Sequence, residues 1–259
     1  MIDMKILEVA NKISWSRRLR MVIHGLLHAL INRRISLKFA AVMLRREASK
    51  CNSIEDYVDL AFNIFNDFPF KSWSIRPAQV KEEITELLRF LAKHKPKFIL
   101  EIGTATGGTL FLFARVSSPD AMMISIDLPG GRFGGGYPEC RKTLYKSFAM
   151  RKQKIHLVRE DSHASASLNL VEKILEGHQL DFLFIDGDHK YDGVKTDFEM
   201  YGSLVRKDGI MAFHDIVPGP PENVGGVPRF WNEIKHNSNY IEFVKDQKQG
   251  GCGIGVIFT

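Results

Sequence analysis

Cysteine is scarce: three in 259 residues, Cys51, Cys140 and Cys252, all far apart. That number and spacing exclude a disulfide framework and paired metal-knuckle cysteines, and they fit a reducing, cytoplasmic setting. Long apolar runs are also missing. Nothing approaches the roughly 20 residues needed to span a bilayer. The apolar run over 21–31 is interrupted by His24 and His28, follows a charged stretch and precedes no small-residue cleavage site, which argues against a signal peptide. There is no internal repeat and no long low-complexity tract; the glycine-rich piece 129–137 comes nearest. Acidic residues run short in one place only. Residues 1–50 hold eleven Lys/Arg against three Asp/Glu, while the other 209 hold 25 against 27. The basic excess therefore belongs to the N-terminal segment, and a slightly acidic main body argues against a broad nucleic-acid-binding face.

What is present is a chain long enough for a full core, with 44% hydrophobic and 25% charged residues, ordinary values for a globular protein. Residues 1–50 read as two or three basic helices with a break near Asn32, Arg33 and Arg34. Ser53-Ile54-Glu55-Asp56 reads as a capping box with Asp in place of Glu. It opens a helix that Phe68-Pro69-Phe70 stops. Pro77 suits the first turn of the next helix, and Pro96 closes it.

From Lys97 the rhythm changes. Short apolar runs at 97–102, 122–127, 154–158, 181–186 and 209–214 alternate with helical segments near 107–116, 137–150, 163–176 and 190–205. Strand alternating with helix implies a parallel sheet with right-handed crossovers. A Pro/Gly loop over 217–226 follows, then a short helix and two strands near 240–244 and 253–258. The short link between those strands predicts an antiparallel hairpin at the sheet edge.

The segment 98–109 is the most informative. An apolar run ends in Glu101-Ile102, a turn follows over Gly103-Thr104-Ala105-Thr106-Gly107-Gly108, and a helix begins. Twenty-four residues after Gly103 the next apolar run ends in Asp127. A glycine turn with an acid at the next strand end is how α/β proteins hold a nucleoside. A dinucleotide fingerprint wants G-x-G-x-x-G, and its second glycine is here Ala105. No Gly-Lys-Ser/Thr follows to make a P-loop. An acid two residues before the first glycine repels a pyrophosphate and suits an ammonium or sulfonium.

Glu101 to Gly108 resembles the first motif of the class I S-adenosylmethionine-dependent methyltransferases. Phe184-Ile185-Asp186-Gly187-Asp188-His189-Lys190-Tyr191, Ile210-Met211-Ala212-Phe213-His214-Asp215 and Gly226-Val227-Pro228-Arg229-Phe230-Trp231 resemble the subgroup of metal-dependent sugar and macrolide O-methyltransferases and cephalosporin hydroxylase-like proteins. The likeness spans roughly 75–258. It implies an α/β, Rossmann-like, seven-stranded doubly wound sheet with the last strand antiparallel. Residues 1–74 are then a basic helical N-terminal extension, and 75–259 the S-adenosylmethionine-binding domain. It also implies that Glu101, Gly103, Thr104, Gly107 and Gly108 line the amino-acid end of the cofactor. Asp127 takes the ribose diol, and Asp161 and Ser162 sit by the adenine.

In doubly wound sheets ligands bind beyond the carboxyl ends of the strands, where Asp186 and the pair His214-Asp215 should face one another. Two carboxylates and an imidazole suit a divalent cation such as Mg²⁺, and the resemblance implies Asp186 and Asp215 as its ligands, with His214 beside them. A histidine at 214, where relatives often carry an acid or amide, leaves the ion open: Mn²⁺ or a softer metal, or none. Relatives place a base three residues after Asp186, which implies His189 as the general base, with catalytic Asp186, together with Asp215, positioning substrate oxygens through the metal. Arg132, Tyr137 and Arg229 are candidate substrate contacts on the loops at the cleft mouth.

The expected function is O-methylation of a small-molecule hydroxyl on a sugar, glycolipid or secondary metabolite. The competing readings are an NAD(P)-dependent Rossmann oxidoreductase and a cofactor-binding module without catalysis. The N-terminal segment has two readings: a helical cap or homo-oligomer contact, or a basic amphipathic surface on anionic lipid. Arg17, Arg18, Arg20, Arg33 and Arg34, interleaved with Trp15, Leu26, Leu27 and Leu30, permit both.

Overall fold

A computed structural model describes residues 33–66, 73–130 and 136–259. The helices expected before residue 33, the stop at Phe68-Pro69-Phe70 and the tip of the glycine-rich loop with Arg132 lie outside the described residues. No described helix is long and apolar enough to cross a membrane.

Three helices come first: α1 (Arg33–Ala48), α2 (Ile54–Asn63) and α3 (Lys81–His94). The capping box forms as read. Asp56 N–H donates to Ser53 Oγ at 3.1 Å and Ser53 N–H to Asp56 Oδ2 at 3.0 Å, which satisfies donors the first helical turn leaves open. Pro77 does not start α3, whose N-cap is Val80. Instead its ring packs at the start of α4 (Gly108–Val116), 2.7 Å from where a Cβ on Gly108 would sit.

The strands are β1 (Phe98–Ile102), β2 (Met122–Asp127), β3 (Lys154–Arg159), β4 (Leu180–Ile185), β5 (Val205–His214), β6 (Tyr240–Phe243) and β7 (Ile254–Phe258). They form one sheet in the order β3-β2-β1-β4-β5-β7-β6, with β7 antiparallel to both neighbours. The expected late hairpin is there, but β7 inserts beside β5 and leaves β6 as the edge. The remaining helices are α5 (Lys142–Lys146), α6 (Ser165–Leu175), α7 (Tyr191–Gly202), α8 (Pro221–Val224) and α9 (Val227–Ile234). The helix expected over 137–150 is shorter: a 3₁₀ turn and α5, closed by i→i+3 bonds from Ser147 and Phe148. The fifth strand starts four residues earlier than its apolar run, and its pairing with β4 shifts register between Leu180 and Phe182.

Successive side chains on a strand face opposite ways, and the core divides accordingly. Ile99, Met123, Phe182 and Ala212 join one buried cluster with Leu37 and Leu44 of α1, Val58 of α2, Leu87 of α3 and Phe111 of α4. Leu100, Ile124, Leu183 and Phe213 join the other with Val171, Tyr201 and Trp231. Both faces are covered, which is why the central strands read as near-continuous apolar runs. The order in which strands are added reverses between β1 and β4, which run parallel, and the strand ends at such a switch point are where sheets of this kind bind ligands.

Candidate active site

β1 delivers the chain into the turn at Gly103. Its N–H donates to Ile126 O at 2.9 Å, while Asp186 N–H donates to Ile102 O at 2.8 Å. With φ at 96°, Gly103 is left-handed, and a Cβ there would overlap the Asp186 carbonyl. Glycine is thus required because the first turn and the end of β4 touch. Gly107 caps α4 at φ 80°, and a Cβ on it would lie 2.6 Å from the Tyr145 ring. Sequence reasoning missed a clamp behind this turn. Tyr145 donates to Ala105 O at 2.6 Å; Arg141 Nη2 donates to Ser74 O at 2.7 Å and Thr106 O at 2.8 Å, and Arg141 Nε to Tyr145 Oη at 2.6 Å.

The position expected of Glu101 needs correction. It is not at a pocket rim but fully buried. Thr109 Oγ1 donates to its Oε1 at 2.5 Å and Ser125 Oγ to its Oε2 at 2.6 Å, with Thr104 Oγ1 2.5 Å from the Ser125 hydroxyl. Burial pushes its pKa up to about 8 against those two hydrogen bonds, so the carboxyl is mostly neutral at pH 7 and carries little charge for a cationic ligand. Asp127 is also mostly buried. Its Oδ2 accepts from Ala105 N–H at 2.7 Å, and its Oδ1 from Leu128 and Gly136 N–H, each at 2.8 Å. Burial raises its pKa despite these bonds. Asp161 and Ser162 lie on the loop after β3. Asp161 accepts from His163 N–H at 2.9 Å, and the Ser162 carbonyl accepts from Tyr201 Oη at 2.6 Å.

The ends of β4 and β5 bring the remaining candidates together. Asp186 Oδ1 lies 3.2 Å from His214 Nδ1 and 3.9 Å from His189 Nε2. Asp215 Oδ2 lies 3.4 Å from His214 Nδ1 and 3.5 Å from His189 Nδ1. His189 Nδ1 also meets the Asn223 carbonyl, and Gly226 N–H donates to His189 O at 2.7 Å. The 217–226 loop therefore grips this histidine at ring and backbone. Gln79, which no local pattern singles out, donates from Nε2 to Asp186 Oδ2 at 2.6 Å. Burial pulls the His214 pKa down, but the Asp186 charge and hydrogen bonds to Asp186, Asp215 and Cys252 carry it well above the ordinary imidazole range. Burial likewise pushes Asp215 up, and the His214 hydrogen bond and charge hold it below the usual carboxylate value.

These residues fit a divalent cation. Donor atoms of Asp186, His189 and Asp215 lie within 4.8 Å of one another, as do those of His214, Asp215 and Cys252. Two buried polar atoms of this site, Gln79 Oε1 and His214 Nε2, have no hydrogen-bond partner among the described residues. Carboxylate oxygen with imidazole nitrogen suits ions from Mg²⁺ to the later first-row metals. Two expected substrate contacts are not placed for it. Tyr137 is buried, its ring 4.9 Å from that of Tyr145, and Arg229 stands on an exposed face of α9, 3.2 Å from Glu233.

Known proteins agree with this architecture. Residues 100–216 match the family described as methyltransferase domain. Bovine (Bos taurus) catechol O-methyltransferase is 27% identical over 182 residues, 68% of this chain and 61% of that protein. The chain spans 50% to 63% of the length of the curated relatives it matches. Among solved structures, the O-methyltransferase TomG from Streptomyces achromogenes, involved in tomaymycin synthesis and in complex with SAM, superposes with a TM-score of 0.53 at 19% identity, covering 81% of this chain and 91% of that one. An O-methyltransferase from Bacillus cereus in complex with SAH gives 0.53 at 18%, covering 81% and 92%. With the seven-stranded order, the glycine turn and these matches in hand, the chain has the fold of the S-adenosylmethionine-dependent methyltransferases, and its residues 100–216 are similar to their methyltransferase domain.

Proposed function

We propose that the chain transfers the methyl group of S-adenosylmethionine to a hydroxyl of a small molecule, a sugar, glycolipid or secondary metabolite. The observation that carries this reading is the convergence of Asp186, His189, His214 and Asp215 directly against the glycine turn, where the Asp186 carbonyl abuts Gly103. The methionine end lies along Gly103, Thr104, Gly107 and Gly108, the ribose diol on Asp127, and the adenine near Asp161 and Ser162. Glu101 supports the turn from behind through Thr109 and Ser125. Asp186, rather than Glu101, supplies negative charge near the sulfonium.

A carbonyl only accepts, so the Asn223 oxygen fixes the proton of His189 on Nδ1. Nε2 is left with its lone pair, and His189 takes the acceptor's hydroxyl proton there as the new O–C bond forms and the C–S bond breaks. Asp186, Asp215 and His214 would hold a divalent cation, whose contribution there would be to make the acceptor hydroxyl more acidic. His189 does not also serve as its ligand, because its Nδ1 is engaged and its Nε2 is the base. The half-exposed ring faces the cleft, and the 217–226 loop keeps it in place.

Thermal-shift measurements on the full chain with S-adenosylmethionine, S-adenosylhomocysteine and NAD(P)H test the cofactor, since a ligand of the folded state raises apparent stability. Stabilisation by the first two and none by the nicotinamides is expected; the reverse pattern overturns the reading. Methyl transfer to a panel of sugars and phenols, with and without EDTA, then tests acceptor class and cation.

A further inference from the structure

The loop leading into β7 contains Gly250, Gly251, Cys252 and Gly253, with φ of 76°, 133°, 57° and 81°. Only Cys252 among them has a side chain. It is pinned to the end of β5: its N–H donates to Asp215 Oδ1 at 3.1 Å, and its carbonyl accepts from Val217 N–H at 2.9 Å. Asp215 is itself left-handed, with φ at 62°. That region is disfavoured for any residue but glycine, so the surrounding structure imposes both conformations.

The outcome is a second convergence. The Cys252 thiol, an Asp215 oxygen and a His214 ring nitrogen lie within 4.8 Å of one another. His214, 4% exposed, leaves Nε2 without a hydrogen-bond partner among the described residues. A sulfur donor thus joins the same acid and imidazole that face Asp186.

We propose that Cys252 is a ligand of the cation site, which makes it a mixed nitrogen, oxygen and sulfur site that takes a thiophilic divalent ion, such as Zn²⁺ or Co²⁺, in preference to Mg²⁺. The inference rests on the cation reading above and adds to it the sulfur ligand and the choice of ion. Mg²⁺ demands oxygen ligands in near-ideal octahedral geometry; thiolate selects softer metals, and affinity for nitrogen and sulfur sites rises along the first row toward copper and zinc. The ligand is the thiolate, so binding breaks the S–H bond, forms the S–metal bond and releases the proton to solvent.

The test is titration of the full metal-free chain with Co²⁺, followed by absorption, on wild type, Cys252→Ser and Cys252→Gly. Glycine adopts φ near 57° without strain, so the second variant keeps the fold if serine disturbs it; circular dichroism checks both. Wild type should show a sulfur-to-cobalt charge-transfer band that excess Mg²⁺ does not remove. The variants should lack the band and bind Co²⁺ at least about 10–100-fold more weakly, the loss typical of removing only an outer partner of a metal site. Co²⁺ bound without a sulfur band, or equally tightly in the variants, overturns the role of Cys252 and leaves the cation site standing. Failure of wild type to bind Co²⁺, Zn²⁺, Mn²⁺ or Mg²⁺ overturns both.

Discussion

Glu101 and Asp127, the acids of β1 and β2, have their oxygens occupied by hydroxyl and backbone donors. Asp186 and Asp215, at the ends of β4 and β5, face two imidazoles, and Gln79 Oε1 and His214 Nε2 find no partner among the described residues. The contrast separates two tasks. The first half is a scaffold whose two carboxyl groups are already held by hydrogen bonds before any ligand arrives, so binding there costs little reorganisation. The second half concentrates charge that only a cation, a proton or a reacting group can balance, the usual place for chemistry.

The sharpest way to break this contrast is to push the halves apart. Gly103→Ala adds a Cβ into the Asp186 carbonyl at a left-handed φ. Strain and overpacking together should cost about 4 kcal/mol or more, a large share of a domain's stability, read as a lowered denaturant midpoint or loss of folded protein. Wild-type stability would show that the turn and β4 are not locked together.

His189→Ala separates the halves chemically. Turnover should fall about 10²–10⁴-fold, while S-adenosylmethionine affinity, measured calorimetrically, stays nearly unchanged. A large loss of cofactor affinity with turnover per bound complex intact would move His189 from the reacting half to the scaffold.

Glu101→Gln tests the scaffold by pH. Burial raises the wild-type carboxyl to about 8 in the fold, from an ordinary 4.5. The folded state therefore holds this proton more tightly than the unfolded chain. The stability it contributes is full below about 4.5 and drains away as pH rises to about 8. A neutral amide has no such slope. The variant should gain on wild type in Tm between pH 5 and pH 8; parallel Tm profiles would mean that burial does not shift the Glu101 carboxyl.

That misplacement shows where sequence reading ends. The strand positions were legible because strands buried on both faces are apolar runs closed by glycine or proline. Once the strands were placed, their terminal acids followed, and Asp186, His189, His214 and Asp215 were found together. Glu101 was visible as an acid at a strand end, but its direction depends on pairing: it sits opposite Ser125 in the β1–β2 register, one residue after Leu100 on the other face. Gln79 reaches Asp186 across 107 residues of chain, and Cys252 reaches Asp215 across 37; no local spacing encodes either meeting. The early start of β5 was hidden by exposed Arg206-Lys207-Asp208.

The smallest expected effect sharpens the comparison most. Ala105 holds φ at 43°, and Ala105→Gly both relieves that conformation and completes a G-x-G-x-x-G spacing with Gly103 and Gly108. Relief is worth about 1–2 kcal/mol, and the added freedom of the unfolded chain takes back about 0.4–1 kcal/mol, so stability should stay level or rise by up to about 1.5 kcal/mol. If the glycine pattern alone chose the nucleoside, this variant would acquire NAD(P)H binding. The backbone at 105 already has its turn conformation, held by Asp127 and Tyr145, and the substitution leaves both partners in place. Thermal shift should therefore respond to S-adenosylmethionine as in wild type and not to the nicotinamides. A nicotinamide response would mean that the choice lies in the turn and not in the charged half across from it.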